Sequence, residues 1–204
     1  MKSGASRRAA NDCGKRDLRA VMEPGLEQLY HWFGLNRALS QWLSGFHFPA
    51  WDWAVGRLAS AADPVHFPWV VAAALLAAYL FPRLASAGDA RVFAVGFAPL
   101  MLAAAHLKAY AGLPRSADLL ASLQGSGDGW PSAPTVFVFL FAASFSPGAP
   151  PPVRFVLWTF AVGAGLARIA AGAALPADVV GGAVLGVGGT MLLRALLRLI
   201  GRGG

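Results

Sequence analysis

Apolar and polar positions along this chain fall into long blocks, not into the short alternations of a soluble domain. Five runs nearly free of charge follow residue 64, at about 65–82, 91–108, 131–147, 153–173 and 176–200. Each approaches the roughly 20 residues that a helix needs to cross a bilayer. The third is the shortest. Pro82, Pro147 with Pro150 to Pro152, and Pro176 mark their ends, because proline cannot continue a helix. Residues 25–64 mix aromatic and charged positions, with Trp32, Trp42, Trp51 and Trp53 interrupted by Arg37, Asp52, Arg57 and Asp63. Tryptophan prefers the bilayer interface, so this stretch predicts interfacial amphipathic helices, or else a weak first span. Residues 1–24 are basic, small and unpatterned. They read as a disordered tail without the apolar core of a signal peptide, and Met22 is an alternative start. The expected architecture is an all-α integral membrane bundle of five or six transmembrane helices, occupying 65–204.

Composition sharpens this reading. Over the 204 residues, 56% are hydrophobic and 13% charged, against the roughly 25% charged share of an average soluble domain. A soluble enzyme is close to excluded. A disulfide scaffold is excluded as well, since Cys13 is the single cysteine. The net charge of +7 reflects a basic start and loop charges, with 6 of the 17 basic residues in the first 19 positions. No basic patch is interleaved with aromatics, so no nucleic-acid partner is expected. No His, Cys and carboxylate cluster has ligand spacing, so no metal and no cofactor are expected. Glycines at 163, 165, 182, 186, 188 and 189 lie inside apolar runs, where small residues permit close helix packing.

The basic residues divide between the two membrane faces. Arg83, Arg91, Arg154, Arg194, Arg198 and Arg202 fall at one face, and Lys108, Arg115 and Arg168 at the other. Cytoplasmic loops carry the excess of basic residues. That rule puts the larger set, and the C-terminus, in the cytoplasm. The remaining three then meet at the outer face. A sixth crossing within 25–62 would bring the basic tail into the cytoplasm too, although no clean apolar run supports one.

Around that outer face the chain places further polar groups. Lys108 ends one run, and Arg115 lies seven residues later. Arg168 sits near the outer end of the fourth run, Asp178 opens the last, and Ser132 opens the third. Charges at such depth are expensive and mark functional sites by default. Guanidinium forks and an ammonium suit a tetrahedral anion, and a helix N-terminus at Ser132 adds backbone donors. Ordinary snorkelling charges and an Arg168–Asp178 pair are the plainer alternatives.

These segments resemble the motifs of the type 2 phosphatidic acid phosphatase (PAP2) superfamily. The family's first motif is Lys, six residues, then Arg-Pro. Its second is Pro-Ser-Gly-His, and its third is Ser-Arg, five residues, His, three residues, Asp. Here the first reads KAYAGLPRS from Lys108 to Ser116, with the proline moved ahead of Arg115. The second reads PSAP from Pro131 to Pro134, and the third ARIAAGAALPAD from Ala167 to Asp178. FHFPAWDW, within 35–63, is similar to the family's region before the core, and the resemblance covers about 30–200.

The resemblance implies a PAP2-like bundle whose third-motif histidine would attack phosphorus and whose second-motif histidine would protonate the leaving alkoxide. It implies Lys108, Arg115 and Arg168 as a phosphate clamp, Ser132 as a further donor, and Asp178 as the carboxylate that orients the nucleophile. The nucleophile position is Ala174 and the acid position is Pro134. Neither side chain can attack or transfer a proton. His106 points away from Lys108 on a helix, and His31, His47 and His66 lie in or beside the interfacial region.

The function expected from these residues is an outward-facing pocket for a phosphorylated membrane lipid, phosphatidic acid or an isoprenyl phosphate, in a catalytically impaired pseudophosphatase. The chain would be an integral protein, expected in a bacterial inner membrane. An active lipid phosphate phosphatase with an atypical nucleophile is the alternative. A small multi-pass transporter, or the subunit of an unknown membrane protein partner, is a further one.

Overall fold

A computed structural model describes residues 34–61, 64–80, 86–111 and 130–200. Arg115, His31 and the tail at 1–24 therefore lie outside the described residues. Those described are helical throughout, with no strand among them. In order they form α1 (Leu35–Ser44), α2 (Pro49–Ala61), a short 3-10 turn (Pro64–His66), α3 (Phe67–Leu80), α4 (Ala87–Ala111), α5 (Ala133–Phe145), α6 (Pro151–Ala170) and α7 (Pro176–Ile200).

Three of these helices, α4, α6 and α7, are long and apolar enough to cross a membrane. Their outward faces are apolar as well. Phe155, Val156, Val184, Met191 and Leu192 are each more than 60% exposed, a surface that water does not tolerate over a large contiguous area and that lipid does. α4 starts four residues earlier than the apolar run suggested. Its first turn is closed by Ser86, whose Oγ accepts the Asp89 N–H at 3.1 Å and donates to Asp89 Oδ2 at 2.8 Å. Ser86 thus caps the helix and satisfies one of the amide donors that a helix start leaves open.

The short α5 is the axis of the bundle. Eleven of its 13 residues are buried, and at ~1.5 Å per residue it spans only ~20 Å. It is the shortest apolar run in the sequence, and the other helices enclose most of its surface. Phe137 stacks on Phe67 at 3.9 Å between centroids, and Phe93 lies edge-on to Phe141 at 5.4 Å. Among helices in lipid such contacts act chiefly through van der Waals packing, since lipid tails are as apolar as the residues they replace.

Glycine contacts set the helix directions. A Cβ added at Gly182 would lie 2.8 Å from Ser132 O, and one at Gly186 2.7 Å from Val136 O. Numbers rise together, so α5 and α7 run parallel with their backbones almost touching. Gly96 of α4 lies against Leu193 and Gly189 of α7 against Leu100, so α4 runs antiparallel to both. α6 is antiparallel to α7 across a tight turn, with Gly165 against Val179. One end of the bundle therefore gathers the C-termini of α4 and α6 with the N-termini of α5 and α7.

At the opposite end, Arg194 of α7 pairs with Asp89 of α4 at 2.7 Å and also donates to the Ser144 and Ala143 carbonyls of α5. Arg154 donates through Nε to Ser146 O at 3.1 Å. These two arginines thus bind the ends of helices together rather than extending freely from loops.

α1 is amphipathic in an inverted sense. Asn36 and Ser40, one turn apart, face the bundle and are buried, while Leu35, Leu39 and Trp42 are exposed. α2 packs along α6, where Leu58 meets Gly163.

Candidate functional site

The turn between α6 and α7 is built from sequence signals that are readable one by one. α6 ends in a Schellman motif: Ala173 N–H donates to Arg168 O at 2.9 Å and Gly172 N–H to Ile169 O at 2.9 Å. Gly172, at φ 69, supplies the left-handed step that this motif requires. Ala174 N–H also reaches Arg168 O, at 3.2 Å. α7 then begins with Pro176 in its first position, where a missing N–H is harmless. Asp178, two residues on, folds its carboxylate back so that Oδ2 accepts the Leu175 N–H at 2.9 Å.

Asp178 is fully buried, and its carbonyl accepts the Ser132 N–H at 3.1 Å. That bond joins the start of α7 to the start of α5, and so brings two of the expected site residues together. Ser132 Oγ accepts from Thr135 Oγ1 at 3.1 Å, and both side chains are buried. Trp130, just before α5, packs on Leu175 and Ala177 and against Gly181.

Lys108 and Arg168 arrive at the same depth from the antiparallel helices. Leu100 is level with Gly189, so eight residues further along α4, Lys108 is ~12 Å deeper and level with Gly181. Gly165 is level with Val179, which puts Arg168 near Pro176. Both side chains are half-buried. Two helix N-termini thus point at one end of the bundle, where their dipoles favour an anion, and a lysine and an arginine come in beside them.

The two N-termini are not equally open. At α7, Pro176 has no N–H, Ala177 donates to Asn36 Oδ1 at 2.9 Å, and Asp178 donates to Leu175 O at 2.9 Å. Its amides are spoken for. At α5, Ser132 is engaged and Pro134 has no N–H. The amides of Ala133 and Thr135 remain as donors in the first turn.

Asn36 is the residue that local sequence pattern does not flag. It is fully buried and reaches across 141 positions to hold the first turn of α7. Its only signal is that Asn36 and Ser40 share the polar face of an amphipathic helix. Ala174 and Pro134 are both buried beside these starts. The described histidines are all exposed: His106 with Nδ1 2.8 Å from Leu102 O, His47 beside Asp52 at 3.4 Å, and His66. Among the described residues no three His, Cys, Asp or Glu side chains could hold a metal ion.

By sequence the chain matches no family model and no curated protein. By structure it is similar to the LpxE of Aquifex aeolicus. The TM-score is 0.67 at 23% identity, covering 79% of this chain and 95% of that one. It is also similar to a transmembrane PAP2-type phosphatidylglycerolphosphate phosphatase from Bacillus subtilis. Here the TM-score is 0.70 at 14% identity, covering 88% of this chain and 94% of that one. The fold is that of a PAP2-type phosphatase.

In this PAP2 fold all three motif segments quoted above begin or end at one end of the bundle. KAYA closes α4, PSAP opens α5, and the stretch from Ala167 to Asp178 forms the α6–α7 turn. The spacing between motifs in sequence therefore corresponds to convergence in space, with Arg115 outside the described residues.

Proposed function

We propose that this PAP2-fold membrane protein binds the phosphate of a phosphorylated lipid where the N-termini of α5 and α7 meet, and that it does so without hydrolysing it. Lys108 and Arg168, with Arg115 from the sequence that follows α4, neutralise the phosphoryl oxygens. The α5 amides of Ala133 and Thr135 donate from the protein axis. Charge-assisted bonds from guanidinium and backbone to phosphate are about twice as strong as neutral ones. In a partly desolvated pocket they select a dianionic monoester over zwitterionic headgroups. Phosphatidic acid and isoprenyl phosphates carry such a group at the depth of this end of the bundle. The positive-inside distribution of arginines supports an outward-facing pocket and a cytoplasmic C-terminus.

One observation carries the loss of turnover. Where the α6–α7 turn would present a nucleophile to phosphorus it presents the buried methyl of Ala174. Where α5 would present a proton donor it presents the ring of Pro134. Neither has a lone pair or an exchangeable proton. Loss of a nucleophile from such a unit costs on the order of a million-fold in rate, and loss of the acid adds little beyond that. Asp178 keeps a structural task in this frame, closing the first turn of α7.

Arg168→Ala tests the pocket. Binding of dioctanoyl phosphatidic acid to the detergent-purified chain, followed by isothermal titration, is expected to weaken at least tenfold, about the value of one charged hydrogen bond. Unchanged affinity in a folded variant would remove the pocket from this end of the bundle.

A further inference from the structure

The end of the bundle opposite the proposed phosphate site is concave and basic. Two cavities open there, of about 350 and 330 Å³. The first lies between the start of α4 and the end of α7, and Arg91, Arg194 and Arg198 line it with Asp89 as its acid. The second lies between the end of α5, the side of α6 and α7, and it shares Arg194 and Arg198 with the first. Three guanidiniums against one carboxylate leave the first cavity with two unneutralised positive charges.

These arginines differ in what they already do. Arg194 is held by Asp89 and two carbonyls of α5, so its position is fixed by the fold. Arg91 and Arg198 are exposed and make no ion pair among the described residues. They flank the fixed guanidinium in the cavity wall. On the lipid-facing side of α7, Leu192 and Leu196 stand one turn apart and are both exposed. That spacing makes one apolar face. Ile200, three-quarters exposed, continues it into the wall of the first cavity.

We propose that this cavity is a second lipid site, which takes the phosphodiester headgroup of an anionic phospholipid between Arg91, Arg194 and Arg198 and lays its acyl chains along the Leu192–Leu196–Ile200 row. The apolar row meets the arginine-lined cavity at Ile200, and a molecule with an anionic head and hydrocarbon tails matches both. Basic pockets between membrane helices recognise anionic headgroups on this principle. Because Arg194 also ties α4 to α5 and α7, the headgroup would join the same fastening and stiffen the end of the bundle from which α5 and α7 are aligned.

The test uses the full chain in a neutral detergent, with dioctanoyl phosphatidylglycerol as the probe and binding read by microscale thermophoresis. Each arginine near an anionic headgroup is worth about fivefold in affinity, so Arg91→Gln with Arg198→Gln should weaken binding by about 25-fold. Dioctanoyl phosphatidylcholine should bind far more weakly than phosphatidylglycerol, and soluble glycerol phosphate should not compete at equal concentration. Arg168→Ala, at the other end, should leave the phosphatidylglycerol affinity unchanged, which separates this site from the phosphate pocket. Equal binding of the two lipids, full affinity in the double variant, or equal competition by glycerol phosphate would each overturn the proposal.

Discussion

Replacing Gly186 by alanine tests the closest approach of a backbone atom to any described glycine. A Cβ at that position would stand 2.7 Å from Val136 O, 2.9 Å from Phe139 Cβ and 3.0 Å from Leu140 N. Two of the three are backbone atoms of a buried helix and cannot rotate aside, so α5 and α7 must separate. Overpacking of this kind costs typically 1–3 kcal/mol. Alanine also favours a helix over glycine by about 1 kcal/mol, which offsets part of that cost. Gly188, two positions on, has nothing within 4 Å of its added Cβ and is exposed, so Gly188→Ala should show the propensity gain alone. The difference between the two variants isolates the steric term at about 2 kcal/mol. For a chain of this size that corresponds to roughly 4–8 °C in Tm. The assay is thermal unfolding of the detergent-solubilised variants followed by tryptophan fluorescence. A Gly186→Ala protein as stable as Gly188→Ala would refute the parallel contact of α5 and α7. It would also refute the adjacency of Ser132 and Asp178 that depends on that contact.

Other expectations follow from the same geometry. Asn36→Ala leaves the buried Ala177 N–H without its acceptor and should destabilise the chain by about 1–3 kcal/mol, read as a lowered Tm. Asn36→Asp, which keeps an acceptor oxygen, should lose less. Asp89→Ala and Arg194→Ala each strand a charge that is at least four-fifths buried and should cost about 3 kcal/mol. The double variant should cost clearly less than the sum, because the two residues share one interaction, and additive losses in a thermal-unfolding cycle would contradict the pair.

Much of this arrangement is legible in the chain where the governing interactions are local. Long apolar runs predict α4, α6 and α7 because those helices face lipid over much of their length. The end of α6 and the start of α7 can be read from Gly172, Pro176 and Asp178, because the capping bonds of Gly172 and Asp178 each span three residues. What local pattern does not show is held across long separations. Asp89 and Arg194 are 105 positions apart, and Arg194 reads in sequence as an ordinary face-defining charge. Asn36 reads as one polar residue in an interfacial helix, yet it fastens the first turn of α7. The shortness of α5 has the same origin, since a helix shielded on all sides by others need not match the bilayer. At the candidate site the motif spacing locates Lys108, Ser132, Arg168 and Asp178 at one end. The division of labour between the closed α7 start and the open α5 start appears only once their hydrogen bonds are drawn.

The central claim is a phosphate pocket from which the chemistry has been removed, and restoring the chemistry tests it most directly. Phosphate release from phosphatidic acid and from an isoprenyl phosphate would be measured for the detergent-purified protein, for Pro134→His/Ala174→His, and for that double variant carrying Arg168→Ala. Both histidines enter buried positions, so a thermal-unfolding check that each variant is folded accompanies the assay. The account predicts a silent parent, measurable release by the double variant, and silence again when Arg168 is removed. Release by the parent would contradict it, because a nucleophile other than a residue at position 174 would then be at work.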